Sequence, residues 1–325
     1  MGIQLNSINS FCFKFIDYAG LFPPANLDLN TSFDNYIKFK KSQYDFMLSG
    51  FICPIKLLPE LQNIIESKYP EEKDIFVSVL ADVFVTRNEF LEKIFDQFKI
   101  WSSFRNNFKD SVFSDSIEIK IPEEVIFENK TEDVADFIDV ISEGLKNKVG
   151  NNIFLFIEGS MKDEWKKNIK TIVEGIHLHN LNSNDTGFKL RTGGVKAELF
   201  PTAEQIAFSI RECIDRNVKL KCTAGLHHPF RHYDYELRTF MHGFINVFFA
   251  GIIAFRHNLS IKGMHDILND ENGNNFIFSM NCISWKDWKI CIEEIELARI
   301  ELMISFGSCS FDDPVDDMKK LKLLN

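Results

Sequence analysis

No stretch of this chain approaches the roughly 18 uncharged apolar residues that span a bilayer. The longest candidate, "GFINVFFAGIIAF" (243–255), is too short and reads as a buried element. The chain does not open on a basic segment followed by an unbroken apolar run, so no secretory signal is expected. There is no C-x-x-C, and the seven cysteines are scattered and odd in number. Reduced thiols in the cytoplasm are the expectation. Positive charge is not in excess: 37 Lys and Arg face 47 Asp and Glu, a formal net charge of -10. This argues against general nucleic-acid binding, which wants a basic patch, and with no spanning segment no membrane partner is expected. No G-x-G-x-x-G follows the first strand candidate, which argues against a dinucleotide site. No H-E-x-x-H places metal ligands on one helix. No linker rich in Pro, Gly or Ser marks a second domain.

What is present is a globular chain of 325 residues, 45% hydrophobic and 26% charged, long enough for a large core. Strand candidates recur at 13–20, 47–54, 75–81, 116–122, 152–159, 187–194 and 219–226, with a weaker eighth at 243–250. Helical spacing fills the gaps between them. In 202–217, Ile206, Ile210, Cys213 and Ile214 share a face, and Thr202 with Gln205 suggests a capping box. In 131–148 the stripe is Val134, Phe137, Ile138 and Ile141, with Thr131 as its cap. Strand and helix alternating with this period predict βα units on a parallel sheet, and eight strands predict a closed (β/α)8 barrel. The expected organisation is a single α/β domain, a TIM-like barrel over 1–255 with a C-terminal capping extension over 256–325. That extension carries a hairpin-like segment, "NNFIFSMNCISWKDW", then a helix with Trp288, Ile292, Ile295, Ala298 and Leu302 on one face, then the compact loop "SFGSCSFDDP" (305–314).

Charges stand where barrel strands should be apolar. Alternate residues of a strand face opposite sides, and the outward set must pack under helices. Ile117, Ile119 and Ile121 therefore face out, leaving Glu118 and Lys120 inward. By the same elimination Glu158, Lys189, Arg191, Lys221 and Thr223 face in, as does Asp17 at the end of the first strand. Buried charges are costly unless paired or functional. Their crowding toward C-terminal strand ends marks the mouth where barrel enzymes place their chemistry. A lysine beside other cations loses proton affinity, and a neutral amine can form a Schiff base. Lys189 and Lys221 are the nucleophile candidates, with Lys120 beside them and Glu118 and Glu158 as proton shuttles. Gripping an anion is the other role open to these lysines together with Arg191. Arg191, Thr192, Gly193 and Gly194 offer a guanidinium, a hydroxyl and open backbone amides to an anionic substrate. In "HHPFRH", His227 is a candidate acid, base or ligand, and His228 and Arg231 flank it. Asp17, Glu118, Glu158 and His227 form the best metal set, so a divalent metal is the one cofactor considered. Cys309, in "GSCSF", reads as a small packed residue without a visible base.

The strings "DYAGLFPPA" (17–25), "KLRTGG" (189–194), "TAGLHHPFRH" (223–232), "HGFINVF" (242–248) and "GSCSFDDP" (307–314) together resemble a bacterial protein family of similar length and uncharacterised activity. A weaker resemblance is to class I aldolases of the deoxyribose-phosphate aldolase type. Those are (β/α)8 barrels with lysines on the sixth and seventh strands, the earlier one forming the Schiff base. The resemblance implies that role for Lys189, with Lys221 as its neighbour, although the strings around both lysines depart from the aldolase pattern. The resulting expectation is a lyase or isomerase acting on a small phosphorylated or carboxylated carbonyl compound. A metal-dependent hydrolase or lyase and a non-catalytic small-molecule-binding barrel are the alternatives. A homo-oligomer is compatible with all three.

Overall fold

The computed structural model describes residues 6–108 and 111–324. The barrel strands are β1 (Ile16–Tyr18), β2 (Leu48–Pro54), β3 (Ile75–Leu80), β4 (Val112–Lys120), β5 (Phe154–Glu158), β6 (Thr186–Arg191) and β7 (Leu220–Thr223). A short hairpin follows, β8 (His232–Asp234) and β9 (Thr239–Met241). A three-stranded antiparallel sheet comes later, β10 (Phe276–Phe278), β11 (Cys282–Trp285) and β12 (Trp288–Cys291). The last strand is β13 (Met303–Ser308). The sheet closes in the order β1-β13-β7-β6-β5-β4-β3-β2, with every neighbouring pair parallel. This is a (β/α)8 barrel.

Seven strand positions fall where the alternation puts them. The eighth does not. Residues 244–257 form a helix, Phe244–His257, buried on almost all sides. Its uniform apolarity hides any period, and fourteen residues exceed an ordinary strand. Phe244 and Phe248 pack against Phe15 and Phe306, covering the outside of the barrel beside β13. The barrel therefore does not end at residue 255. It closes through β13, within the segment expected to be a cap. The cap-like material is an insertion in the seventh βα unit, made of the helices Ile261–Leu268 and Ile292–Glu301 and the β10–β12 sheet. In that sheet the antiparallel register sets Cys282 opposite Cys291, and the two form a disulfide with Cα atoms 4.0 Å apart. The expectation of wholly reduced thiols is corrected for this pair. The other five cysteines are free and buried.

The helix starts follow local chemistry. Thr202 and Gln205 form the expected capping box, with Gln205 Oε1 accepting from the Thr202 amide at 2.7 Å. Thr131 is the first helical residue rather than the cap, which is Lys130. No helix among the described residues is long and apolar enough to cross a membrane.

His177 and His179 lie on the helix Trp165–Asn180, outside the barrel interior. The buried His179 ring is held between Asp139 and Asp185, at 2.5 and 2.8 Å. Burial pulls its proton affinity down, but the two carboxylates outweigh this and raise it above 6.5. Stability from this cluster is therefore complete below about pH 6.5 and is lost as pH climbs through the raised value. The thermal midpoint of the wild type is expected to fall between pH 6 and 9. His179→Gln should flatten that fall, and an equal slope in the two proteins would contradict the assignment.

Candidate active site

The inward charges meet in one chain of alternating sign. Lys221 Nζ lies 3.0 Å from Asp17 Oδ2 and 2.6 Å from Glu118 Oε1. Glu118 Oε2 holds Lys189 Nζ at 2.8 Å, and Lys189 reaches Glu158 Oε2 at 2.8 Å. Glu158 Oε1 then accepts from Arg191 Nε at 3.1 Å. The strand registers produce this order. Lys189 stands level with Glu158 on one neighbouring strand and with Lys221 on the other. Three carboxylates and three cations balance, which is what makes their burial affordable.

Two serines complete the network. Ser305 Oγ donates to Asp17 at 2.5 Å, and Ser78 Oγ donates to Glu118 at 3.0 Å. Neither carries a signal in the sequence, because an inward serine on a strand is an ordinary small residue. Their neighbours' charges are what give them a role.

The electrostatics reverse one expectation. Burial would raise the Glu118 carboxyl, but the two lysines more than offset it and hold it at about 2. Glu158 is likewise held below the usual range by Lys189 and Arg191 against its burial. Burial would lower both lysines, and the carboxylates override it and raise them. The lysines are therefore ammonium ions at rest. Their nearest charged neighbours are acids, not cations.

A cavity of about 280 Å³ opens above the network at the C-terminal mouth. Glu118, Lys189, Arg191, Thr223 and His227 border it, as does Gly194. Lys221, 2% exposed, is not among its walls and is held between Asp17 and Glu118. This separates two lysines that the sequence leaves equivalent. Phe22, Pro23 and Pro24, from the loop after β1, and Ile52, Leu80 and Leu199 supply apolar wall. Apolar positions on strand tips and loops gave no sign of this in the sequence.

Several expected site residues stand elsewhere. Lys120 is half-buried at the end of β4 and has no ion-pair partner among the described residues. Thr192 is fully buried, and its hydroxyl donates to the Thr223 and Ala224 carbonyls, so it ties two loops instead of offering a donor to substrate. Gly193 is a packing glycine: an added Cβ would come within 2.8 Å of the Gly225 Cα. His228 turns away and bonds Asp317 Oδ2 at 2.6 Å. Arg231 stacks over Phe240 at 4.4 Å, in a separate surface depression with His228. Consecutive loop residues point different ways, which sequence adjacency conceals.

His227 does face the cavity. Its Nε2 lies 3.9 Å from Cys309 Sγ, and its Nδ1 lies 3.5 Å from Ser308 Oγ. Burial, aided by His228 and His232, lowers its proton affinity against the pull of Asp313, so the ring is neutral near pH 7. Cys309 also borders the cavity and thus has the basic neighbour that its sequence context hid. The proposed metal set does not assemble. Asp17, Glu118 and Glu158 are turned to lysines and Arg191, and no group of three His, Cys, Asp or Glu among the described residues is placed to hold a metal ion.

Fold and site together define a parallel (β/α)8 barrel with a buried lysine–carboxylate chain under its C-terminal mouth. No family model and no curated protein matches the chain. Among solved structures it is similar to a tetrameric deoxyribose phosphate aldolase from Aeropyrum pernix. The similarity covers 70% of this chain and 82% of that one, with a TM-score of 0.47 and 11% identity. The barrel assignment rests on this chain's own strand pairing.

Proposed function

We propose that the protein is an enzyme of lyase or aldolase type that forms a Schiff base between Lys189 and a small carbonyl compound. The observation that carries this reading is that Lys189, alone among the described residues, combines a place on the cavity wall with two buried carboxylates at hydrogen-bond distance.

The chemistry balances within the network. In a step uphill against the pairing that keeps it charged, the Lys189 ammonium passes a proton to Glu158 or Glu118. The freed lone pair adds to the carbonyl carbon, and the C=O π pair becomes an alkoxide that takes the proton back. A second N–H proton follows the same route to the hydroxyl, which leaves as water as C=N forms. An ammonium and a carbonyl have become an iminium and water, with no proton drawn from outside. The positive charge stays between the same two carboxylates, so the groups that raise the ammonium also stabilise the iminium. His227, neutral and on the cavity wall, is placed to take or return a substrate proton. Glu118 and Glu158 act as shuttles, and Lys221 and Arg191 hold them in position.

Borohydride reduction in the presence of small aldehydes and ketones tests this. Inactivation with a covalent mass increase is expected. Turnover of a carbonyl compound that never yields an adduct would remove the Schiff-base reading. Ligand-induced stabilisation without adduct or turnover would instead favour a binding barrel.

A further inference from the structure

We propose that the carbonyl substrate is a short 2-oxo acid, its carboxylate gripped by Arg191 while its carbonyl faces Lys189. This rests on the Schiff-base reading and adds the substrate class. Glu158 holds the two cations side by side, Lys189 Nζ on Oε2 at 2.8 Å and Arg191 Nε on Oε1 at 3.1 Å. The two cations share one carboxylate, so a molecule that engages both is short, with its anion near its carbonyl. Only Nε of Arg191 is engaged among the described residues, which leaves both terminal nitrogens free in a side chain 40% exposed on the cavity wall. That free edge is a planar fork matched to a carboxylate.

The remaining wall argues against a larger anion. Among the described residues no lysine or arginine other than Lys189 and Arg191 borders the cavity. Ile52, Leu80 and Leu199 suit a short alkyl body. The adjoining depression shares His227 and Cys309 with the cavity and is lined by Asp234, Glu236 and Asp313, with no lysine or arginine. Those acids oppose a phosphate dianion far more than a single carboxylate.

The test compares pyruvate, its methyl ester and glyceraldehyde 3-phosphate as partners for borohydride labelling of Lys189. Half-maximal labelling is expected at a pyruvate concentration about tenfold below that of the ester, the ratio a charge-assisted fork supplies. Arg191→Gln should bring the two within about threefold. Arg191→Lys, which keeps a charge for Glu158 but loses the fork, should lie between them. Preferred labelling by the phosphorylated aldehyde, or an unchanged ratio in R191Q, would overturn the oxo-acid assignment and leave the lysine chemistry standing. Labelling by none of the three would overturn both.

Discussion

Lys189→Met is expected to abolish borohydride-dependent labelling and to lower turnover by roughly 10³- to 10⁶-fold, the range seen when a covalent nucleophile is removed. The fold should survive the change. Glu118 keeps Lys221 at 2.6 Å and Glu158 keeps Arg191 at 3.1 Å, so neither carboxylate is left without a cation. Circular dichroism and a denaturation curve on the same sample separate lost chemistry from lost structure. A K189M protein that stays folded and still accepts label would place the nucleophile elsewhere.

Lys221→Met should do the opposite, damaging stability first. Lys221 is the only ion-pair partner of Asp17 among the described residues, and it supplies one of the two cations on Glu118, which is 1% exposed. Removing it strands a buried carboxylate, which costs roughly 3–5 kcal/mol. Urea denaturation measures this directly. The double variant D17N/K221M should recover part of the loss, because the amide needs no counter-charge and can keep accepting from Ser305. A cost below about 1 kcal/mol, or no recovery in the double variant, would show that the chain of charges is not a coupled network.

The elements of the site were more legible than their wiring. Glu118, Glu158, Lys189 and Lys221 could be found because a charge alternating with Ile, Leu or Phe on a barrel strand has only the interior to face. Which acid meets which base depends on strand register and shear, and these belong to the closed sheet. The expectation of lysines depressed by neighbouring cations failed for that reason: Lys189 and Lys221 are level on adjacent strands, yet each ammonium turns to carboxylates.

The fold departs from its sequence pattern at the eighth strand. The segment 243–255 is so uniformly apolar that neither the strand nor the helix period shows in it, and its first half, 243–250, stands as the eighth strand candidate. The true strand, Met303–Ser308, follows a helix directly and carries only Met303, Ile304 and Phe306 among small residues to mark it. The hydroxyl of Thr192 and the basic groups of His228 and Arg231 follow the strands of Lys189 and Lys221 and suit an anionic substrate by their chemistry. Their side chains are instead bound by Ala224, Asp317 and Phe240.

The measurement that bears most directly on the central claim is peptide mapping of the protein after borohydride reduction with pyruvate. The expected result is a single modified peptide with the adduct on Lys189, and Lys221 unmodified. An adduct on Lys221, or a reduced protein free of adduct while pyruvate is turned over, would contradict the account.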